Sequence, residues 1–387
     1  MLGNFSYCNP TKLYFGKKSL NYLNDELSKY GKNVVLIYGG GSIKKNGIYD
    51  AVTALLKKNN KTVAEISGVM PNPTVAKLHE GIEIARAHKA DLLLAVGGGS
   101  VCDYSKAVSV SVHCEEEPWE KYFVRFEEPS CEIVPVGSVL TMVGTGSEMN
   151  AGAVISNLAT QEKFAFHHSF PQFSILDPEA TFSLPPFQVA CGIADTFVHV
   201  MEQYLTVTGV SPLMDRWAEG ILQTLIEIAP KIRANQHDYD QMANFMLCAT
   251  MGLNGFIAMG VPQDWATHMI GHELTALHGV THGQTLVVVL PALMSVMREQ
   301  KKGKILQYGE RVFGIREGSE DERIDRTIRA TEEFFRSLGL ATRLHELQIG
   351  QDTIDEIVRR FNERGTRLGE AGNITGDVTR RILELCK

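Results

Sequence analysis

Apolar and polar positions follow two different periods along the chain. In the first half, short β-rich runs stand out: VVLIY (Val34–Tyr38), TVAEI (Thr62–Ile66), DLLLAV (Asp91–Val96) and IVPV (Ile133–Val136). The third is almost continuously apolar, as expected of a strand buried on both faces. Between these runs, DAVTALLKK (Asp50–Lys58) and VAKLHEGIEIARAH (Val75–His88) carry helical spacing. Strand, helix and strand with connections of this length predict parallel pairing and a doubly wound α/β sheet. The pattern changes at Ser183-Leu184-Pro185-Pro186, where adjacent prolines end one element and suit the first turn of the next helix. Beyond it helices are predicted over Val189–Leu205, Pro212–Ile232, Gln241–Ala258, Trp265–Leu277, Leu286–Arg298, Ile324–Leu338 and Thr353–Arg364. The expected organisation is an α/β dinucleotide-binding domain over residues 1–184 and an all-α metal-binding domain over 185–387.

Composition narrows the class. The 387 residues are 44% hydrophobic and 21% charged, the balance of a globular protein. A formal charge of −7 advertises no basic face for nucleic acid. The longest apolar run, Leu286–Val296, is interrupted by Pro291 and is too short for a membrane helix. The first residues lack a charged stretch followed by an apolar one. Seven scattered cysteines without CxxC spacing point to reduced thiols. A soluble, cytoplasmic protein with no nucleic-acid or membrane partner is expected.

Two near-identical loops follow strands: Gly39-Gly40-Gly41-Ser42 after VVLIY, and Gly97-Gly98-Gly99-Ser100 after DLLLAV. Glycines there let a ligand approach the backbone, and a following helix directs unsatisfied N–H groups at an anion. A single triple glycine is as well explained as a tight turn; two in one sheet favour a dinucleotide. After the first loop come Lys44 and Lys45, with no carboxylate before Asp50. An acidic residue at that strand end grips a ribose 2′-OH, whereas small and basic residues admit a 2′-phosphate, so NADP(H) is favoured over NAD(H). A third polar loop, Thr141 to Glu148, suits a sugar or amide but is a weak signal alone.

The helical half carries ligand-type residues at helical spacing. Asp195 and His199 are four apart, as are His268 and His272, and His282 follows beyond a turn at Gly279. Any one histidine is better explained by local hydrogen bonding. Two such pairs inside apolar helices, however, place costly polar groups on buried stripes, where a metal satisfies several at once. Three imidazoles and a carboxylate suit Fe²⁺ or Zn²⁺, and the absence of thiolates leaves iron open.

With these segments in view, the chain resembles the iron-containing alcohol dehydrogenases, most closely their NADPH-dependent butanol dehydrogenase and aldehyde reductase branch. The segments GGGSVCDYSK, TMVGTGSE, LDPEATFSLPP, GIADTFVHVMEQY and HMIGHELTALHGVTHGQT carry the resemblance across nearly the whole chain. It implies a Rossmann-like cofactor domain, a helical metal domain and an active site in the cleft between them. It places the metal ligands at Asp195, His199, His268 and His282, with Fe²⁺ ahead of Zn²⁺. His272 falls at the histidine beside nicotinamide and substrate. Cofactor contacts fall at Gly97, Gly98, Gly99, Ser100 and Asp103, and at Asn72, Thr141, Thr145 and Lys163. Gly39 stands where NADH-dependent members carry an aspartate. The implied activity is hydride transfer between NADP(H) and a small aldehyde or primary alcohol such as butyraldehyde or butanol, in a homodimer. A metal-dependent lyase of the dehydroquinate synthase-like superfamily is the alternative. Against it, no cluster of arginines and lysines for an anionic substrate is interleaved with the metal motifs. A nucleotide sensor would not need the ligand cluster, and a metallohydrolase would not need the glycine loops.

Overall fold

The computed structural model describes all 387 residues. Eight strands form: β1 (Lys12–Phe15), β2 (Asn33–Tyr38), β3 (Thr62–Ile66), β4 (Leu92–Gly97), β5 (Val136–Leu140), β6 (Gly152–Asn157), β7 (Glu162–His167) and β8 (Phe173–Leu176). The sheet-side helices are α1 (Leu23–Leu27), α2 (Ser42–Lys45), α3 (Ile48–Lys58), α4 (Val75–His88) and α5 (Gly99–Ser111). Then follow α6 (Pro186–Tyr204), α7 (Pro212–Ala234), α8 (Tyr239–Gly252), α9 (Ala266–His278) and α10 (His282–Val296). The last four are α11 (Lys302–Phe313), α12 (Glu320–Ser337), α13 (Gln351–Glu363) and α14 (Gly376–Leu385). No helix is long and apolar enough to cross a membrane. All seven cysteines are free.

The chain forms two compact units. One comprises Cys8–Leu184 with Gln236–Thr250, and the other Met1–Tyr7, Pro185–Asn235 and Met251–Lys387. The first contains a six-stranded sheet in the order β1-β8-β5-β4-β2-β3, parallel throughout, as the strand–helix alternation predicts. Side-chain alternation along β2 and β4 explains the double winding. Val35, Ile37, Leu93 and Ala95 pack with Leu78 and Ile82 of α4 and Tyr104 and Val108 of α5. Val34, Leu36, Leu92 and Leu94 pack instead with Leu23 and Leu27 of α1 and Val52 and Leu56 of α3. Most of α8 joins this unit, where Thr250 Oγ1 donates to Glu148 Oε1 at 2.6 Å.

Several element boundaries differ from the sequence reading. The fourth strand runs over Val136–Leu140 rather than Ile133–Val136, because Pro135 offers no N–H and contributes only its carbonyl, to Leu93 N at 2.9 Å. The helix expected over Gln241–Ala258 ends at Gly252, and Gly255 then takes φ +84 before a single 3-10 turn. Helix α10 begins at His282, earlier than its apolar run, and continues through Pro291. Strands β1 and β8, the antiparallel β6–β7 hairpin and helices α11 and α14 lie outside the predicted elements.

Candidate metal centre and dinucleotide loops

In the helical unit, α6 carries Asp195 and His199 one turn apart, α9 carries His268 and His272, and α10 opens on His282. The imidazole Nε2 atoms of His199, His268 and His282 lie 3.4, 3.6 and 3.6 Å from a single atom, Asp195 Oδ1. Asp195, His268 and His282 each offer a ligand atom within 4.8 Å of the others, and His199 joins through Asp195. Separations of this size suit the neighbouring vertices of a tetrahedral site, about 3.4 Å apart for bonds of about 2.1 Å. His268 Nε2 is buried without a hydrogen-bond partner. Burial pushes the His268 imidazole down, yet the Glu202 and Asp195 carboxylates outweigh it and hold it up at about 9. The pocket therefore favours positive charge among nitrogen and oxygen donors, which fits a first-row divalent ion.

Two glycines let these helices meet. A Cβ on Gly283 would lie 2.3 Å from the Cys191 carbonyl oxygen of α6, and one on Gly271 would lie 2.7 Å from Thr285 Oγ1 of α10. The His272 ring is 5.2 Å from His282 and 6.3 Å from His268, so it borders the cluster.

The start of α9 is fixed from beneath. Asp264 Oδ1 accepts the Ala266 N–H at 2.7 Å, and Trp265 adopts φ +62, a strained backbone for an aromatic residue. The Trp265 ring lies 5.4 Å from that of His268 and 6.2 Å from that of His199. Fully buried Lys301 bridges Asp264 Oδ2 at 2.6 Å, Glu370 Oε2 at 2.7 Å and the Leu205 carbonyl at 2.8 Å. Burial raises the Asp264 carboxyl above its ordinary range despite this ammonium. A raised carboxyl binds its proton more tightly folded than unfolded, so its ionisation opposes folding increasingly as pH climbs above about 4. Lys301→Met removes the only cation of the triad and is expected to lower stability by about 3–5 kcal/mol near pH 8, and by less near pH 5. Urea unfolding at the two pH values checks both the size and the direction.

In the sheet unit, the two glycine loops differ physically. A Cβ on Gly97, Gly98 or Gly99 would collide with Val101, Met142 or Thr145, the last at 2.2 Å. Gly98 and Gly99 are demanded by the packing of α5 against the Thr141–Ser147 loop, and Gly97 by the close turn of β4 into α5, where Val101 lies. A Cβ on Gly40 or Gly41 would meet nothing, and Gly41 sits at φ +99. The first loop thus leaves open space, while Gly98 precedes and Gly99 and Ser100 open α5 with no side chain capping its N–H groups. Both features fit a phosphate-bearing ligand.

Among the other expected cofactor residues, Asp103 Oδ1 accepts from Ser147 Oγ, and its Oδ2 accepts the Val154 N–H at 3.0 Å. Both oxygens serve the protein, so Asp103 anchors the loop. Thr141 donates its N–H to the Gly97 carbonyl at 2.9 Å, and Thr145 Oγ1 accepts from Ser147 N at 3.2 Å. Asn72 takes φ +54 between two prolines, and the adjoining Pro73 carbonyl accepts the N–H of Ser156. Ser156 in turn pairs with buried Lys163 across the β6–β7 hairpin. Gly39 stands at the end of β2, and Lys44 Nζ lies over the rings of Tyr38 and Tyr49 at 5.0 and 4.6 Å. The sequence reading passed over Glu202, which contacts His268, and Lys106, which is fully buried and donates to the Ser147 carbonyl at 2.9 Å. For Glu202 a signal existed: it lies three residues after His199, on the same side of α6.

Comparison with known proteins agrees with this arrangement. Residues 10–178 match the iron-containing alcohol dehydrogenase family, and residues 189–375 match the C-terminal part of the Fe-containing alcohol dehydrogenase family. An NADPH-dependent aldehyde reductase of Escherichia coli, YqhD, is 46% identical, with 100% of both chains covered. The NADH-dependent butanol dehydrogenase A of Clostridium acetobutylicum is 38% identical over 94% of each chain. The crystal structure of the E. coli protein superposes with a TM-score of 0.96 over 100% of this chain and 99% of that one. Butanol dehydrogenase A of Thermotoga maritima, 34% identical, superposes at 0.94 with the same coverage. These relatives are oxidoreductases and lend the lyase alternative no support. Family match, full-length relatives and a buried carboxylate–imidazole cluster agree: the chain belongs to the iron-containing alcohol dehydrogenase family.

Proposed function

We propose that this enzyme transfers hydride reversibly between NADP(H) and a small aldehyde or primary alcohol, with butyraldehyde and butanol as representative substrates. The observation that carries the reading is the convergence of three imidazoles on Asp195 Oδ1. Asp195, His199, His268 and His282 would hold Fe²⁺, or Zn²⁺ in its place. When bound, the dinucleotide supplies hydride and the divalent ion polarises the carbonyl oxygen. His272, one turn beyond His268 on α9, holds or delivers at a ring nitrogen the proton that completes the alcohol. Gly97 to Ser100 cradle the pyrophosphate, and Asn72, Thr141, Thr145 and Lys163 line the cofactor's path. The resemblance supports a homodimer as the working species, which light scattering would measure.

The test is anaerobic NADPH oxidation with butyraldehyde, with and without a chelator. Absorbance loss should require both aldehyde and metal; its absence across a panel of aldehydes would overturn the reading. Cofactor choice is a separate matter, since the relatives include both NADPH- and NADH-dependent enzymes. It rests here on the open Gly39–Ser42 loop and on Lys44 and Lys45. Gly39→Asp places a carboxylate where a 2′-phosphate would lie, and the nearest atom to the new Cβ, the Val69 carbonyl oxygen at 3.2 Å, needs to yield only slightly. The variant is expected to lose at least ~10-fold in kcat/KM with NADPH and to gain with NADH. Unchanged cofactor preference would remove the loop from the argument.

A further inference from the structure

The metal-ligand set leaves out a carboxylate packed directly against it. Glu202 lies on α6 seven residues after Asp195 and three after His199, and it is 2% exposed. Both of its oxygens serve a single residue: Oε2 accepts from His268 Nδ1, and Oε1 accepts the His268 backbone N–H at 3.2 Å. Its own carbonyl accepts the Asp264 N–H at 2.8 Å, tying it to the segment that starts α9. A carboxylate can only accept, so the imidazole must carry its proton on Nδ1. Nε2 is then the nitrogen left to face the side where Asp195 Oδ1 lies, 3.6 Å away, and a metal ion would bind there in place of any proton.

We propose that Glu202 is the positioning residue of the metal centre. It fixes the tautomer and ring orientation of His268 and, with Asp195, supplies two negative charges against a dication. An imidazole ligand braced in this way by a carboxylate is a better donor and loses less orientational freedom on binding the ion. This role rests on the four-ligand reading above.

The test uses the full-length chain stripped of metal and titrated anaerobically with Co²⁺. Affinity is read by competition with a chromophoric chelator, and ligand geometry by visible absorption. Glu202→Ala is expected to bind Co²⁺ some 10- to 100-fold more weakly. Glu202→Gln keeps the volume and an acceptor oxygen but not the charge; it should fall between the two and shift the absorption band. Should the alanine variant fail to fold, the glutamine variant decides. Metal-free unfolding midpoints separate the proposal from a purely structural role, which would lower stability without moving the spectrum. Wild-type affinity and spectrum in both variants would overturn the role of Glu202. If instead the wild-type chain bound no Co²⁺, or His268→Ala bound it as tightly as wild type, the ligand reading itself would fall and the proposal with it.

Discussion

Asp195→Ala should abolish metal retention and lower kcat/KM for butyraldehyde by ~10³-fold or more, the equivalent of about 4 kcal/mol of transition-state stabilisation. The size follows from position. The Nε2 atoms of His199, His268 and His282 are arranged around Asp195 Oδ1 at 3.4–3.6 Å, and Asp195 is the only anion among the four ligands. Without it, a dication would face three neutral imidazoles in a buried site, with Glu202 as the nearest compensating charge one residue removed. Metal analysis by plasma mass spectrometry and anaerobic steady-state rates should fall together. NADPH binding, followed by its fluorescence, should persist, because the glycine loops belong to the other compact unit. A variant that kept full metal and full turnover would show the ligand set to be wrong.

What the sequence disclosed depended on whether a chemical feature was local. Strands β2 and β4 were legible because burial on both faces leaves an unbroken apolar run. The Asp195–His199 and His268–His272 pairs were legible because polar residues at helical spacing interrupt apolar stripes. Strand β5 was misplaced because Gly137 and Ser138, both buried, dilute its apolar signal, and Gly137 is small so that the Phe173 ring can pack against it. Strand β8 hides for a similar reason: Ser174 is fully buried, its hydroxyl satisfied by the Glu148 carbonyl. Glu202 and Lys301 read as ordinary charged residues because their partners, His268 and the Asp264–Glu370 pair, are distant in sequence. Asp103 shows the converse. Its place in a motif points to the cofactor loop, and the structure adds a second, long-range role, since Ser147 Oγ and the Val154 N–H each donate to one of its oxygens.

Gly283→Ala is the substitution in which a single methyl group should do the most damage. Gly283 follows His282 in the first turn of α10, and a Cβ there would lie 2.3 Å from the oxygen and 2.9 Å from the carbon of the Cys191 carbonyl. These are backbone atoms inside α6, four residues before Asp195, so they cannot swing aside as a side chain would. Relief requires α10 to move away from α6, and His282 moves with it, opening its 3.6 Å separation from Asp195 Oδ1. Metal sites tolerate ligand displacements of only about 0.2 Å, whereas a shift of about 1 Å at a reacting centre can cost ~100-fold in rate. The variant should therefore lose about 1–3 kcal/mol of stability to overpacking, bind Co²⁺ at least ~10-fold more weakly, and turn over ~100-fold more slowly. Gly220→Ala in α7 is the control, because a Cβ there meets nothing. Helix propensity alone should make that change neutral or stabilising by up to about 1 kcal/mol. If Gly283→Ala matched Gly220→Ala in unfolding midpoint and Co²⁺ affinity, close approach of α10 to α6 would not be what brings His282 to Asp195.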